Sequence, residues 1–179
     1  MKQSQVKIAN PVQELFFVIA PPRHIKSDVS VLKDDVQYLI GHEFADRFSI
    51  AHISLFKFDD RRHFQDIIRE VERKAVDFKP FNIFVKNMSV FHQGPLRTII
   101  LDIVNKCHVQ DVFEKIVKRN ASYTPYITIA KKLEAEDFLK AWPYLKDFSY
   151  SQHFLCDRIT VLAKSGNRWS HYKDILFGD

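Results

Sequence analysis

One order of segments, met twice along the chain, restricts the fold more than any other feature of the sequence. Hydrophobic periodicity reads as helix, strand, helix, strand, strand around His52, and the same order returns around Tyr126, 74 positions later. The first copy opens with a helix over 27–44, with Val29, Leu32, Val36, Leu39 and Ile40 on one face, and continues into a strand over 51–58. A helix over 62–78 follows, with Phe64, Ile67, Ile68, Val71, Ala75 and Phe78 at helical spacing. Strands over 81–92 and 97–105, joined by Gln93-Gly94-Pro95, complete it. The second copy has a helix over 108–119, a strand over 124–132 and a helix over 134–146. In that last helix Phe138, Leu139, Trp142 and Leu145 read as inward, and Pro143 as a kink or an end. Strands over 152–163 and 169–177, joined through Ser165-Gly166-Asn167, close the chain, and a strand over 14–20 ending at Pro21-Pro22 opens it. No linker or low-complexity tract interrupts this order. At 179 residues the expectation is one domain, 1–179, of two α+β lobes of sheet and helix facing each other across a cleft.

Two strands carry the chemistry. Alternate strand residues share a face, so His52, Ser54 and Phe56 point one way while Ile53 and Leu55 enter the core. By the same rule Tyr126, Thr128 and Ala130 lie together, opposite Ile127 and Ile129. Each strand thus offers a titratable or phenolic group two residues before a hydroxyl. An imidazole exchanges protons near neutral pH, and a hydroxyl can donate to a phosphate oxygen as charge develops on it. Two such pairs across a cleft would put a base on the attacking side of a phosphorus and an acid on the leaving side.

Ala-His-Ile-Ser-Leu at 51–55 and Tyr-Thr-Pro-Tyr-Ile-Thr-Ile-Ala-Lys at 123–131 resemble the two His-x-Ser/Thr-x-hydrophobic motifs of the two-histidine phosphoesterase superfamily. That superfamily includes the bacterial RNA 2′–5′ ligases and cyclic phosphodiesterases. The resemblance extends through strand and helix order over nearly the whole chain. It implies a bilobal fold with a central cleft, a metal-independent activity on 2′,3′-cyclic phosphate or 2′–5′ phosphodiester bonds, and no cofactor. His52 would be the general base or acid, with Ser54 and Thr128 on the phosphate. The second motif departs at its key position, where Tyr126 replaces histidine. An ordinary phenol titrates near pH 10 against about 6.5 for imidazole, so a tyrosine there can donate a proton but is a poor base. The departure leaves two readings: a working phosphodiesterase or ligase-like enzyme, or an impaired relative that only binds RNA ends or a phosphorylated small molecule.

Phe91, Arg97, Lys131 and Tyr172 are further candidates for substrate contact, through stacking or charge. His92 and His171 are the histidines placed to replace the missing imidazole; His24, His42, His63, His108 and His153 match no partner motif. Four glycines form no phosphate-cradling loop, and no His-Glu-x-x-His, clustered cysteine or Gly-x-Ser-x-Gly is present, so neither a metal nor a serine nucleophile is expected. The net charge of +5 suits an anionic ligand, without the block of like charges that marks a nucleic-acid arm. Cys107 and Cys156 read as buried free thiols in a reducing compartment, and the opening MKQSQVKIANPVQE lacks a secretory apolar run. A cytoplasmic monomer without a membrane span is the expectation, with an RNA or nucleotide phosphoester, or another phosphorylated small molecule, as its partner.

Overall fold

The computed structural model describes residues 11–117 and 122–178. The far end of the helix expected at 108–119, and most of the opening segment read for a secretory run, lie outside these residues. The chain order is β1 (Val12–Ile19), α1 (Arg23–Ile40), β2 (Ile53–Phe58), a short 3₁₀ turn (Arg61–His63) and α2 (Phe64–Ala75), then β3 (Phe81–Gln93) and β4 (Leu96–Ile103). After these come α3 (Lys106–Val117), β5 (Tyr126–Leu133), α4 (Ala135–Leu145), β6 (Ser151–Cys156), β7 (Arg158–Ser165) and β8 (Arg168–Leu176). The strands form an eight-stranded sheet in the order β6-β3-β4-β5-β2-β1-β7-β8, antiparallel throughout. The fold is α+β, with two four-stranded lobes that join where β2 meets β5.

The helices are where the apolar periods put them, with ends set by local chemistry. Helix α1 stops at Gly41 rather than at 44. That glycine takes φ +83°, which closes the helix by its N–H donating to the Gln37 carbonyl. Along α1, Val29, Leu32, Val36 and Ile40 are buried as expected, and so is Lys33. In α4 the helix carries Pro143 within it and runs to Leu145, while Leu139 is 69% exposed rather than inward. Ala141 takes the buried place on that face. Helix α1 packs on α4 and β5, and α2 packs on β8 and α3. The buried side chains of β1, β2 and β5 join those of the helices in one apolar cluster, which includes Cys156; Cys107, expected to be buried, lies on the exposed side of the first turn of α3.

Two strand expectations need correcting. The segment read as one strand over 152–163 is two, divided at Asp157. β6 pairs with β3 in one lobe, whereas β7 pairs with β1 in the other, and no straight strand could reach both. Phe56 also leaves the face it was expected to share with His52. The β1–β2 register slips between Phe17 and Val18, and a one-residue slip reverses the face presented beyond it. Phe56 therefore stacks on buried Phe17, with ring centroids 4.3 Å apart.

Candidate active site

Strands β2 and β5 meet through one registered pair, Ile53 opposite Ile127. In an antiparallel pair the flanking residues also face each other, so His52 is carried towards Thr128 and Ser54 towards Tyr126. Both isoleucines are fully buried. Alternation therefore turns all four flanking side chains to the other side of the sheet, where Ser54 is exposed and His52, Tyr126 and Thr128 are half-buried.

His52 Nδ1 lies 2.7 Å from the Ile50 carbonyl oxygen. A carbonyl can only accept, so Nδ1 carries the hydrogen and Nε2 keeps a free lone pair. Burial holds the imidazole's pKa below the ordinary histidine value; the Ile50 carbonyl opposes this, and the charges of Lys33 and Lys57 add to the lowering. The ring stands edge-on to Phe16, 5.1 Å between centroids. It borders a hollow of about 460 Å³ walled by Phe16, Val18, Leu162, Trp169 and His171. Lys57 lies 5.1 Å from the centres of both the Phe16 and Trp169 rings.

The loop that presents the Ile50 carbonyl is held from beneath. Lys33, 1% exposed, donates from Nζ to the Asp46 carbonyl at 2.6 Å and to Ser49 Oγ at 2.7 Å. The Asp46 carboxylate accepts the backbone N–H of Lys131 at 2.9 Å, and its other oxygen is 3.7 Å from Lys33 Nζ. One buried ammonium and one carboxylate therefore tie α1, the loop before His52 and the strand of Tyr126 and Thr128. Burial lowers the Lys33 pKa, against the opposing pull of Asp46. The sequence held a sign of this brace that went unread: Lys33 falls on the helix face of Val29 and Val36.

Ser54 and Tyr126 share a second hollow of about 470 Å³ with Phe91, His92, Tyr123 and Thr124. The Phe91 and Tyr126 rings are 4.8 Å apart. The Tyr123 hydroxyl donates to the Ser54 carbonyl at 2.7 Å, while its ring stacks on Phe113 at 4.1 Å. Burial raises the pKa of that phenol, with a smaller contribution from Tyr126. Tyr123 thus remains a donor and locks the approach to β5 against β2.

Of the proposed substrate contacts, only Phe91 is brought to these four residues. The Arg97 guanidinium donates to the carbonyls of Gly94 (2.7 Å) and Leu96 (3.0 Å), holding its own turn. Lys131 lines a separate hollow with His42, Glu43 and Asp137. Tyr172 accepts a hydrogen bond from Gln65 Nε2 at 3.2 Å, away from the Trp169 and His171 wall. His92 and His171 divide between the two hollows, and His171 Nε2 sits 3.2 Å from Asp174 Oδ1. Phe16 and Trp169 were not picked out from sequence, although period-2 alternation sets Trp169 beside His171 in the last strand. Among the described residues no group of three or more His, Cys, Asp or Glu could hold a metal ion.

Residues 21–168 match the sequence profile of the 2′-5′ RNA ligase superfamily. The chain belongs to this superfamily. Its fold agrees with solved structures at low identity. TT0787 of Thermus thermophilus superposes with a TM-score of 0.68 at 14% identity, over 93% of this chain and 99% of that one. E. coli LigT complexed with phosphate gives 0.60 at 12% identity, over 94% and 99%. Usb1 of Kluyveromyces marxianus gives 0.52 at 11% identity, over 92% and 98%. No curated protein matches the chain significantly by sequence. Strands β2 and β5, which carry His52-Ile53-Ser54 and Tyr126-Ile127-Thr128, meet at the junction of the two lobes.

Proposed function

We propose that the chain is a metal-independent phosphoesterase acting on 2′,3′-cyclic phosphate or 2′–5′ phosphodiester bonds of RNA or nucleotides. The observation that carries this reading is the pairing of β2 with β5, which brings His52 and Ser54 beside Thr128 and Tyr126, together with the Ile50 carbonyl at His52 Nδ1, which leaves Nε2 as the proton acceptor. A water attacks phosphorus in line and gives its proton to His52 Nε2 as the new O–P bond forms. The bond to the leaving 2′ or 3′ oxygen breaks, and that oxygen takes the Tyr126 phenolic proton. Ser54 and Thr128 donate to the non-bridging oxygens as charge accumulates there. Solved complexes of E. coli LigT with phosphate and with 3′-AMP support a ligand of this class. Burial and the neighbouring lysines favour the neutral imidazole that the first proton transfer requires.

A second reading, binding without turnover, is favoured by Tyr126 at the key position of the second motif. One assay separates the two: purified protein with EDTA, offered 2′,3′-cyclic nucleotides and 2′–5′-linked dinucleotides. Hydrolysis that His52→Ala lowers by about 10²–10⁴ supports the enzyme, and activity indifferent to His52→Ala removes His52 from it. A large gain in hydrolysis from Tyr126→His at unchanged affinity favours the binding-only relative. Fast wild-type turnover abolished by Tyr126→Phe refutes it. A monomer in the cytoplasm, organised as one bilobal domain, fits this reading; no described helix is long and apolar enough to cross a membrane.

A further inference from the structure

Helices α1 and α4 lie antiparallel, tied near one end by the Tyr150 hydroxyl, which donates to Asp28 Oδ2 at 3.0 Å. At the other end His42 Nε2 is 3.1 Å from Asp137 Oδ1. The buried side chains of both helices join Ile53 and Ile127 in one core, so this layer lies across the sheet from His52 and Tyr126. Its outward side carries several large apolar groups. Val31 and Tyr38 stand outward on α1, about 10 Å apart along its axis, and Tyr38 is 87% exposed. Leu139, which its spacing predicted to be inward, and Tyr144, 71% exposed, stand outward on α4, and Phe148 is exposed just beyond that helix. The register set by the two end contacts puts Val31 level with Phe148, and Tyr38 between Leu139 and Tyr144.

The charge of this layer opposes that of the chain, which is +5 overall. From Ser27 to Glu43 the acids are Asp28, Asp34, Asp35 and Glu43, against Lys33, which is buried. From Glu134 to Asp147 they are Glu134, Glu136, Asp137 and Asp147, against Lys140 and Lys146. Eight acids less three lysines leave −5. Asp28, Asp34, Glu136 and Asp137 are engaged by Tyr150, Arg47, Lys140 and His42. Asp35, Glu43, Glu134 and Asp147 are exposed and have no cationic partner among the described residues.

We propose that the outward face of α1 and α4 is a docking surface for a basic amphipathic helix of another protein. Two helices side by side leave a groove in which a third can lie, apolar side down. The apolar side chains of such a helix cover Val31, Tyr38, Leu139 and Tyr144, and its Lys or Arg residues meet the unpaired carboxylates. Like charge turns away other occupants. RNA and an anionic lipid surface meet the same carboxylates, and a second copy brings an equally acidic face against this one. Exposed aromatic side chains beside unpaired charge of one sign mark a surface made for a partner of the opposite sign.

The test uses the whole protein and a fluorescent peptide of about 14 residues, leucines and lysines at helical spacing. One control peptide has glutamate for each lysine, and a second has serine for each leucine. Anisotropy should show saturable one-to-one binding that weakens with salt, and each control should bind at least about 10-fold more weakly. Tyr38→Ser/Tyr144→Ser should weaken the leucine–lysine peptide about 10-fold or more. Asp35→Asn/Asp147→Asn should weaken it and flatten its salt dependence. All four side chains are exposed, so urea midpoints should stay at the wild-type value. Backbone amide shifts on adding the peptide should map to α1 and α4. Shifts confined to another surface, equal binding of either control, or binding indifferent to both variants would overturn the proposal. So would a dimer, seen by sedimentation, that Tyr38→Ser/Tyr144→Ser dissolves, since a second copy would then cover the face.

Discussion

Replacing Lys33 with methionine isolates the brace beneath His52. The ammonium is 1% exposed and makes two short hydrogen bonds, to the Asp46 carbonyl and Ser49 Oγ. Hydrogen bonds to a charged group contribute about 1.5–3 kcal/mol each to stability. Against this, methionine fills a similar volume without the desolvation of a buried charge, a substitution that is often close to neutral. Ser49 is exposed and Asp46 half-buried, so water can replace part of what they lose. The balance is a loss of about 1–2 kcal/mol, measured as a lower urea midpoint at unchanged slope. The larger effect should be local. With Asp46 and Ser49 released, the Ile50 carbonyl no longer holds Nδ1, and His52 samples both tautomers. Two-bond proton–nitrogen spectra of the imidazoles should show the wild-type His52 as the Nδ1–H form and Lys33→Met as a mixture. In the proposed phosphoesterase, kcat should fall about 10–100-fold with KM changed far less, because the proposed base His52 is misplaced rather than the substrate site removed. A variant destabilised by this amount that keeps the wild-type tautomer would refute the reasoning. The loop would then be held by Arg47 and the chain itself.

Four further outcomes rest on the same geometry. The acid limb of kcat/KM should fall below pH 6.5, because burial holds the His52 pKa under its ordinary value and the base stays neutral into mildly acid solution. The same shift makes stability rise with pH between the folded pKa and 6.5 and level off above it, since the unfolded chain binds the extra proton; urea midpoints across pH, compared with His52→Ala, would show this. Tyr123→Phe should lower stability by about 1 kcal/mol through the lost bond to the Ser54 carbonyl, read by urea denaturation, and its Phe113 stacking should keep the fold intact. Ile127→Ala should lower stability by about 2–5 kcal/mol, since it hollows the core at the pair joining the two lobes; a loss under 1 kcal/mol would mean the junction is not tightly packed.

Much of this protein could be read in its sequence because the features concerned are periodic or local. Apolar spacing in a helix or strand reports which face is buried, so α2 with Ile68, Val71 and Ala75 inward, and the outward turn of His52, Ser54, Tyr126 and Thr128, needed nothing beyond the order of residues. The same holds for the motif strands and the superfamily they belong to. What depends on distant parts of the chain could not be read that way. The division of 152–163 at Asp157 exists because two partner strands lie in different lobes. The turn of Phe56 into the core follows from a register slip against β1. The tautomer of His52 is set by a main-chain carbonyl, which every residue possesses, and that carbonyl is placed by a lysine 17 positions before Ile50. The repeated order of segments predicted two lobes and a cleft. Tertiary structure decided what fills the cleft's walls, because pairing and packing, unlike periodicity, join residues that the chain keeps far apart.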